Sequence, residues 1–129
     1  MDLLQVAQRA TDLDRAVAFY TRLLGAPPVA RFDPPGLAFF MLGPVRLLVD
    51  RAAVDRTAPG SLIYLKVDDV RTRIGELRTD GVTIEGEPHI IFSHADDTLG
   101  PTGTDEWHGF IRDSEGNLVG LVSHLPKES

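Results

Sequence analysis

Cysteine is absent from the 129 residues of this chain. A protein without cysteine has no disulfide framework, no thiolate nucleophile and no cysteine-ligated zinc or iron–sulfur centre. Because disulfides mark oxidising compartments, the lack of them agrees with a cytoplasmic location, which we therefore expect.

Long apolar runs and a basic surplus are missing as well. No stretch approaches the roughly 18 apolar residues of a membrane span, and residues 1–5 lack the basic character that opens a secretory signal. Lysine and arginine total 13 against 19 aspartates and glutamates, which gives a net charge of −6. Nucleic-acid binding relies on many basic contacts with phosphates, so we expect neither a nucleic-acid nor a membrane partner.

Glycine-rich phosphate loops and the G-x-S-x-G nucleophile motif are also absent from the sequence. Dinucleotide-binding, kinase and serine-hydrolase functions therefore have no support. What is present is an ordinary globular composition, with 43% hydrophobic and 25% charged residues. A chain of this length has room for one core, so any internal duplication must share it.

The first half of the chain predicts a β-α-β-β-β unit. Thr11 or Asp12 caps a helix whose apolar residues follow a spacing of three to four, and Gly25 ends it. Short apolar stretches separated by proline and glycine turns predict the strands. These strands span about residues 3–10, 29–32, 37–42 and 45–50.

The second half predicts the same order. Asp68 or Asp69 opens a helix that ends at residues 80–81. Its strands span about residues 62–67, 82–85, 106–112 and 118–123, with an insertion over 88–105. A shift of 57 residues aligns the two helix caps, which favours an internal duplication, although any two amphipathic helices with acidic caps align similarly. We expect one domain over 1–129, with module 1 at about 1–50, a linker over 51–60 and module 2 at about 61–125.

Three motifs carry a resemblance to a known family. Asp12-Leu13-Asp14-Arg15-Ala16 followed by Phe19-Tyr20, Val67-Asp68-Asp69-Val70, and Asp113-Ser114-Glu115-Gly116-Asn117 occur in order along the chain. They resemble the vicinal oxygen chelate superfamily of glyoxalases, bleomycin resistance proteins and extradiol dioxygenases. The resemblance implies an α+β fold of two tandem β-α-β-β-β modules that form a curved mixed sheet around one cleft. It also implies a homodimer.

Metal-dependent members of that superfamily place four ligands on the first and last strands of the modules. Carried over, these positions are Gln5, Leu47, Leu62 and Gly120, of which only Gln5 has a coordinating side chain. One neutral amide does not hold a catalytic divalent ion against water. We therefore expect no metal at the superfamily positions and no other cofactor, with a relocated divalent metal as the alternative.

Alternation along the strands predicts the residues that line the cleft. If Gln5 and Leu62 face it, then Arg9, Tyr64 and Lys66 do so too. Together Gln5, Arg9, Tyr64 and Lys66 predict a polar, partly cationic floor for a carboxylate, carbonyl or phosphate. The alternative is that Arg9 and Lys66 end their strands in solvent and that Tyr64 is a core aromatic residue.

The insertion concentrates histidines and the single tryptophan. We interpret residues 88–107 as a lid loop hinged at Gly100 and Gly103, with Trp107 contacting the ligand.

His94 and His108 are candidate catalytic acid–base groups. Together with His89 and Asp96 they are the alternative metal site, and ordinary surface histidines are the competing interpretation. His124 is assigned to the C-terminal tail.

The empty metal positions favour a protein that binds a small organic molecule in its cleft, as bleomycin resistance proteins do. The alternative is a lyase or isomerase of the glyoxalase I or methylmalonyl-CoA epimerase type, in which a relocated or absent metal accompanies proton abstraction next to a carbonyl. A dioxygenase-related activity and a non-catalytic regulator are further alternatives.

Overall fold

A computed structural model describes residues 1–51 and 60–128 of the chain. These described residues contain two helices and eight strands. In chain order the elements are β1 (Gln5–Arg9), α1 (Leu13–Leu24), β2 (Ala30–Phe32), β3 (Leu37–Leu42), β4 (Val45–Asp50), β5 (Ile63–Lys66), α2 (Val70–Thr79), β6 (Ile84–Ser93), β7 (Thr104–Arg112) and β8 (Leu118–Pro126). Neither helix has the length and apolar character that spanning a membrane requires. Most of the predicted linker over 51–60 lies outside the described residues.

The chain divides into two compact units. Unit 1 comprises Met1–Ser61 together with Asp113–Asn117, and unit 2 comprises Leu62–Arg112 together with Leu118–Ser129. Each unit has one helix and one four-stranded sheet, and in each sheet the first and last strands of the unit pair in parallel. The strand orders β1-β4-β3-β2 and β5-β8-β7-β6 are equivalent.

In unit 1, α1 begins and ends where the sequence predicts. The carboxylate of Asp12 accepts a hydrogen bond from the Arg15 backbone N–H at 3.0 Å, and Gly25 ends the helix in the left-handed conformation at φ 76°. Leu13, Ala16 and Tyr20 form the buried side of α1, one helical turn apart. The sheet supplies buried residues of β3 and β4 to the same core.

In unit 2, Asp69 caps α2 by accepting the Arg71 backbone N–H at 2.9 Å. Val70, Ile74 and Leu77 lie one turn apart and are buried. The backbone N–H of Val70 also donates to the buried Ser123 hydroxyl at 2.7 Å, which joins the start of α2 to β8.

The α+β class and the two tandem modules are thus confirmed, and the common cleft stays a prediction. The insertion differs from the expectation, because it is largely strand. β6 and β7 extend to Ser93 and back from Thr104 as an antiparallel pair with several register irregularities. Of the segment 88–107 that was predicted to form a lid loop, only residues 94–103 are loop, and their role as a lid stays a prediction.

The turn over Asp113–Asn117 is built around two carboxylates within unit 1. Asp113 accepts a hydrogen bond from the buried Tyr20 hydroxyl at 2.6 Å. Burial, followed by the charge and hydrogen bond of Asp113, raises the pKa of Tyr20, so the phenol stays protonated. Glu115 accepts the backbone N–H groups of Thr11 and Asp12 at 2.8 and 2.9 Å, and the Arg15 guanidinium at 2.6 Å.

Glu115 is ionised well below neutral pH. Burial alone would raise its pKa, but the hydrogen bonds from Arg15, Asp12, Thr11 and Ser114 outweigh it and lower the pKa from 4.5 to about 2. The Glu115 side chain is 2% exposed, so its contacts with the backbone of Thr11 and Asp12 are little weakened by solvent, whereas the Arg15 side chain is 53% exposed. Glu115 therefore joins the start of α1 to the turn.

We expect Glu115→Gln to lower the free energy of unfolding by about 2 kcal/mol near pH 7, because an amide is a weaker acceptor for these donors. A group with a lowered folded-state pKa stabilises the protein above its unfolded-state value and loses that contribution as the pH falls from 4.5 towards about 2. The difference between wild type and variant, measured by denaturant unfolding, should therefore shrink to less than half at about pH 3.

Glu85→Gln is the matched control, because Glu85 is exposed and ion-paired with Arg112 at 3.0 Å. It should change the stability by less than about 0.5 kcal/mol. An equal loss in both variants would contradict the role assigned to Glu115.

Candidate functional site

The register of β7 against β8 sorts the side chains of unit 2 onto two faces. Val70 and Ile74 of α2 lie against Gly109 on one face, where an added Cβ would be 3.1 Å from both side chains. Alternate residues point to the other face. There Glu106 is directly opposite His124 and Phe110 is opposite Gly120, which in turn pairs with Tyr64. We call this surface the Tyr64 face, defined by Tyr64, Glu106, His108, Phe110, Gly120 and His124.

Three histidines meet at one carboxylate on this face. Oε1 of Glu106 lies 2.9 Å from His94 Nε2 and 3.0 Å from His124 Nε2, while Oε2 lies 2.7 Å from His108 Nε2. Because an ionised carboxylate only accepts hydrogen bonds, each imidazole donates through Nε2–H in this arrangement. We call these four residues the imidazole cluster.

The imidazole cluster is largely withdrawn from solvent. The side chain of His94 is 1% exposed, and those of Glu106, His108 and His124 are 13–17% exposed. Burial opposes ionisation of Glu106, but hydrogen bonds from His108, His124 and His94 lower its pKa below the ordinary value. Within the described part of the chain, Nδ1 of His124 is buried without a hydrogen-bond partner.

The structure brings together both predicted catalytic residues, His94 and His108, and separates them from His89 and Asp96, the other residues of the alternative metal site. His89 lies on β6 with its Nδ1 2.9 Å from the backbone oxygen of Glu87. Asp96 is exposed in the connecting loop, where it accepts the Thr98 N–H. The acidic partner of the histidines is thus Glu106, which the sequence analysis did not single out.

His124 is the other residue that sequence reasoning missed, and its assignment to the tail was wrong. β8 continues to Pro126 and pairs with β7 along its whole length, so His124 is inside the sheet. The signal that could have found it is its spacing from Gly120, since residues four apart share a strand face.

The superfamily metal positions in unit 1 do not form a donor set. Gln5 is aligned with Arg46 of β4, and the Arg46 guanidinium donates to the Gln5 amide oxygen at 3.1 Å. Leu47, the residue predicted to share this face, is fully buried on the opposite one. The position transferred from the superfamily pattern was therefore wrong by one residue, and neighbouring residues of a strand point to opposite faces of the sheet.

In unit 2 the corresponding position Gly120 is closed by packing. An added Cβ on Gly120 would lie 2.6 Å from the Tyr64 ring and 3.2 Å from Phe110. The Tyr64 ring is edge-on to Phe110 at 5.9 Å between centroids and tilted against His108 at 5.4 Å. Leu62 precedes β5 and is 49% exposed. A carboxylate at position 120 therefore has no space beside Tyr64.

The remaining predicted ligand-binding residues lie apart from the imidazole cluster. Arg9 lines a cavity of about 100 Å³ in unit 1 with Glu115 and Asn117. Lys66 is exposed on β5. Trp107 lies on the other face of β7, with the Arg71 guanidinium 5.0 Å above its ring, and lines a separate cavity of about 430 Å³ in unit 2.

A family comparison agrees with this architecture. The sequence model of the glyoxalase/bleomycin resistance protein/dioxygenase superfamily matches residues 2–121. The chain belongs to this superfamily. A comparison with curated protein sequences finds no match. The residues at the superfamily metal positions of this member, Gln5 held by Arg46 and Gly120 covered by Tyr64, do not fit a divalent ion.

Several solved structures resemble this superfamily member. A lactoylglutathione lyase from Agrobacterium tumefaciens is 26% identical with a TM-score of 0.66, and the match covers 95% of this chain and 92% of that one. TioX from Micromonospora sp. ML1 is 22% identical with a TM-score of 0.65, covering 97% and 100%. A glyoxalase/bleomycin resistance protein/dioxygenase from Alicyclobacillus acidocaldarius is 18% identical with a TM-score of 0.63, covering 95% and 91%.

The packing at Gly120 can be tested by adding one methyl group. We expect Gly120→Ala to lower the free energy of unfolding by about 1 to 2 kcal/mol, because the new Cβ collides with the Tyr64 ring. In a Tyr64→Ala background the same substitution should cost less than about 0.5 kcal/mol.

Gly75→Ala in α2 is the matched control, since nothing lies within 4 Å of an added Cβ there. It should raise the stability by about 0.5 to 1 kcal/mol through helix propensity. Equal effects of Gly120→Ala with and without Tyr64, measured by denaturant unfolding, would show that the ring does not close this position.

Proposed function

We propose that this protein binds a small organic molecule against the Tyr64 face of unit 2, without an ion at the superfamily metal positions. The observation that carries the proposal is the state of Tyr64. Tyr64 is 52% exposed to solvent. Its ring nevertheless packs against Phe110, His108 and the backbone at Gly120. A rigid, exposed aromatic ring flanked by polar groups is typical of ligand-binding surfaces.

The neighbouring groups indicate the chemistry of the ligand. Phe110 and Tyr64 offer apolar contact to a flat portion, and the Tyr64 hydroxyl and the His108 imidazole offer hydrogen bonds. Lys66, two residues beyond Tyr64 on β5, adds a positive charge on the same side of the strand. An aromatic anion has the features that these groups recognise.

Tyr64→Ala should weaken binding of 8-anilinonaphthalene-1-sulfonate, a fluorescent aromatic anion, about tenfold, because the stacking surface is removed. Fluorescence titration measures the affinity, and native mass spectrometry of the purified wild type shows whether an organic molecule is carried through purification.

Phe32→Ala is the control, because Phe32 is an equally exposed aromatic residue of unit 1, at 53%. Its binding curve should match that of the wild type. If wild-type affinity is retained by Tyr64→Ala, or lost equally in both variants, binding is not located at Tyr64.

A second candidate is proton transfer next to a carbonyl, as in a lyase or isomerase. The observation that favours it is the 2.7 Å contact between His108 Nε2 and Glu106 Oε2. A carboxylate that accepts Nε2–H fixes the imidazole tautomer and leaves Nδ1 as the base. The similar structure from Agrobacterium tumefaciens is that of a lactoylglutathione lyase, which supports the same class.

The test substrate is the hemithioacetal of methylglyoxal and glutathione. The wild-type protein should exchange the carbon-bound proton of this substrate with deuterium from the solvent, and proton NMR measures the rate. His108→Gln should slow the exchange by about 10²- to 10⁴-fold, because the base is lost. His89→Gln, which changes a histidine outside the imidazole cluster, should leave the rate unchanged. Absence of exchange by the wild type would exclude this candidate and leave the binding function.

We also propose that the protein is a homodimer and is located in the cytoplasm. The superfamily resemblance supports the homodimer, and the lack of cysteine supports the cytoplasmic location.

A further inference from the structure

The imidazole cluster offers three coordinating atoms that converge on one small volume. His94 Nε2, His124 Nε2 and a carboxylate oxygen of Glu106 all lie within 4.8 Å of one another. Oε1 of Glu106 is 2.9 Å from one nitrogen and 3.0 Å from the other. Two ligand atoms bound at about 2.0–2.1 Å to a tetrahedral ion lie about 3.3 Å from each other. The carboxylate oxygen and each nitrogen therefore need to move apart by only roughly 0.4 Å to hold an ion between them.

The fold holds these atoms from several directions. Glu106 and His124 are directly opposite each other in the β7–β8 ladder. His94 follows the last residue of β6, and its backbone N–H donates to the Thr104 oxygen at 2.8 Å, at the start of β7. Phe92 packs against the His94 ring at 4.3 Å between centroids, and His94 is edge-on to His124 at 5.1 Å. The donor atoms are therefore preorganised by strand pairing and ring packing.

The donor set determines the class of ion. Two imidazole nitrogens and one carboxylate oxygen suit divalent zinc and its transition-metal neighbours, whereas magnesium and calcium prefer oxygen ligands alone. A second oxygen of the same carboxylate is held by His108 at 2.7 Å. Such a contact orients a ligating carboxylate and is a regular companion of metal sites.

Gly100 brings the connecting loop against the same two histidine rings. An added Cβ at this position would lie 2.7 Å from His94 Cε1, 2.9 Å from His94 Nε2 and 3.1 Å from His124 Nε2. A side chain at this position would collide with both rings, so the close approach of the loop to the two donor nitrogens requires glycine.

We propose that His94, Glu106 and His124 bind one divalent transition-metal ion, with Zn²⁺ as the reference ion, and that His108 is the positioning residue of the Glu106 carboxylate. The site is displaced from the superfamily position on β8 by four residues, from Gly120 to His124, which is about 13 Å along a strand. It uses none of the superfamily positions Gln5, Leu62 and Gly120. The metal site shares the Tyr64 face with the proposed small-molecule site, but it does not rest on binding of that molecule.

The experiment uses the full chain after removal of metals by a chelator, titrated with Zn²⁺ by isothermal calorimetry. The wild type should bind one ion per chain. His124→Gln and Glu106→Gln should each weaken binding by about 100-fold or more, because a donor atom is lost, and His108→Gln should weaken it by about 10- to 100-fold through loss of carboxylate orientation.

His89→Gln is the matched control and should bind Zn²⁺ as the wild type does, because His89 contacts its own strand instead of the cluster. Lack of one-to-one binding by the wild type, or undiminished binding by His124→Gln and Glu106→Gln, would show that the imidazole cluster is only a hydrogen-bonded network.

Imidazole nitrogen NMR on the wild type keeps the test independent of whether the variants fold. Zn²⁺ should shift the Nε2 resonances of His94 and His124 and leave those of His89 in place. A shift confined to His89, or equal shifts in all four histidines, would assign the ion to scattered surface sites and overturn the proposal.

Discussion

The antiparallel register between β7 and β8 is the constraint on which the candidate site depends. It aligns Glu106 with His124 and Phe110 with Gly120 on the face of the sheet away from α2. A slip of one residue would carry these groups to the α2 side, where Val70 and Ile74 already fill the space against Gly109. The packing of α2 thus fixes the register, and the register fixes which polar groups meet.

The same constraint explains how far the sequence could predict the fold. Both helix starts were predictable because Asp12 and Asp69 satisfy free backbone N–H groups at the first turn, which is a local effect visible in the sequence. Strands β3 and β4 were bounded by turn residues and agreed with the prediction. The extension of β6 and β7 through the insertion was missed, because hairpin pairing is a non-local interaction and its register is irregular.

The candidate site was predictable only in part, for a related reason. His94 and His108 could be selected by residue type, but their common partner, Glu106, is identified only once three strands are aligned. Leu47 illustrates the converse error, since a displacement of one residue in an alignment reverses the face of a strand. Carrying ligand positions over from a family is therefore least secure in strands that lack a local marker.

The two units have diverged in what replaces the superfamily donors. In unit 1 the Arg46 guanidinium donates a hydrogen bond to the amide oxygen of Gln5. In unit 2 the aromatic ring of Tyr64 covers Gly120. The Gln5 amide oxygen thus has a donor, and Gly120 has no side chain to offer a ligand atom, so neither position holds a free ligand for an ion. The imidazole and carboxylate groups meet instead at His124, four residues beyond Gly120 on β8.

A carboxylate that accepts three imidazole N–H groups is stable without an ion, because every donor has its acceptor. Retaining His124 nevertheless has an energetic cost, since its Nδ1 is buried without a partner among the described residues, and such an atom costs about 1–3 kcal/mol. The contact of Nε2 with Glu106 has to offset that cost. An apolar residue at the same place would avoid that cost, but it would also remove one of the three donors to the Glu106 carboxylate.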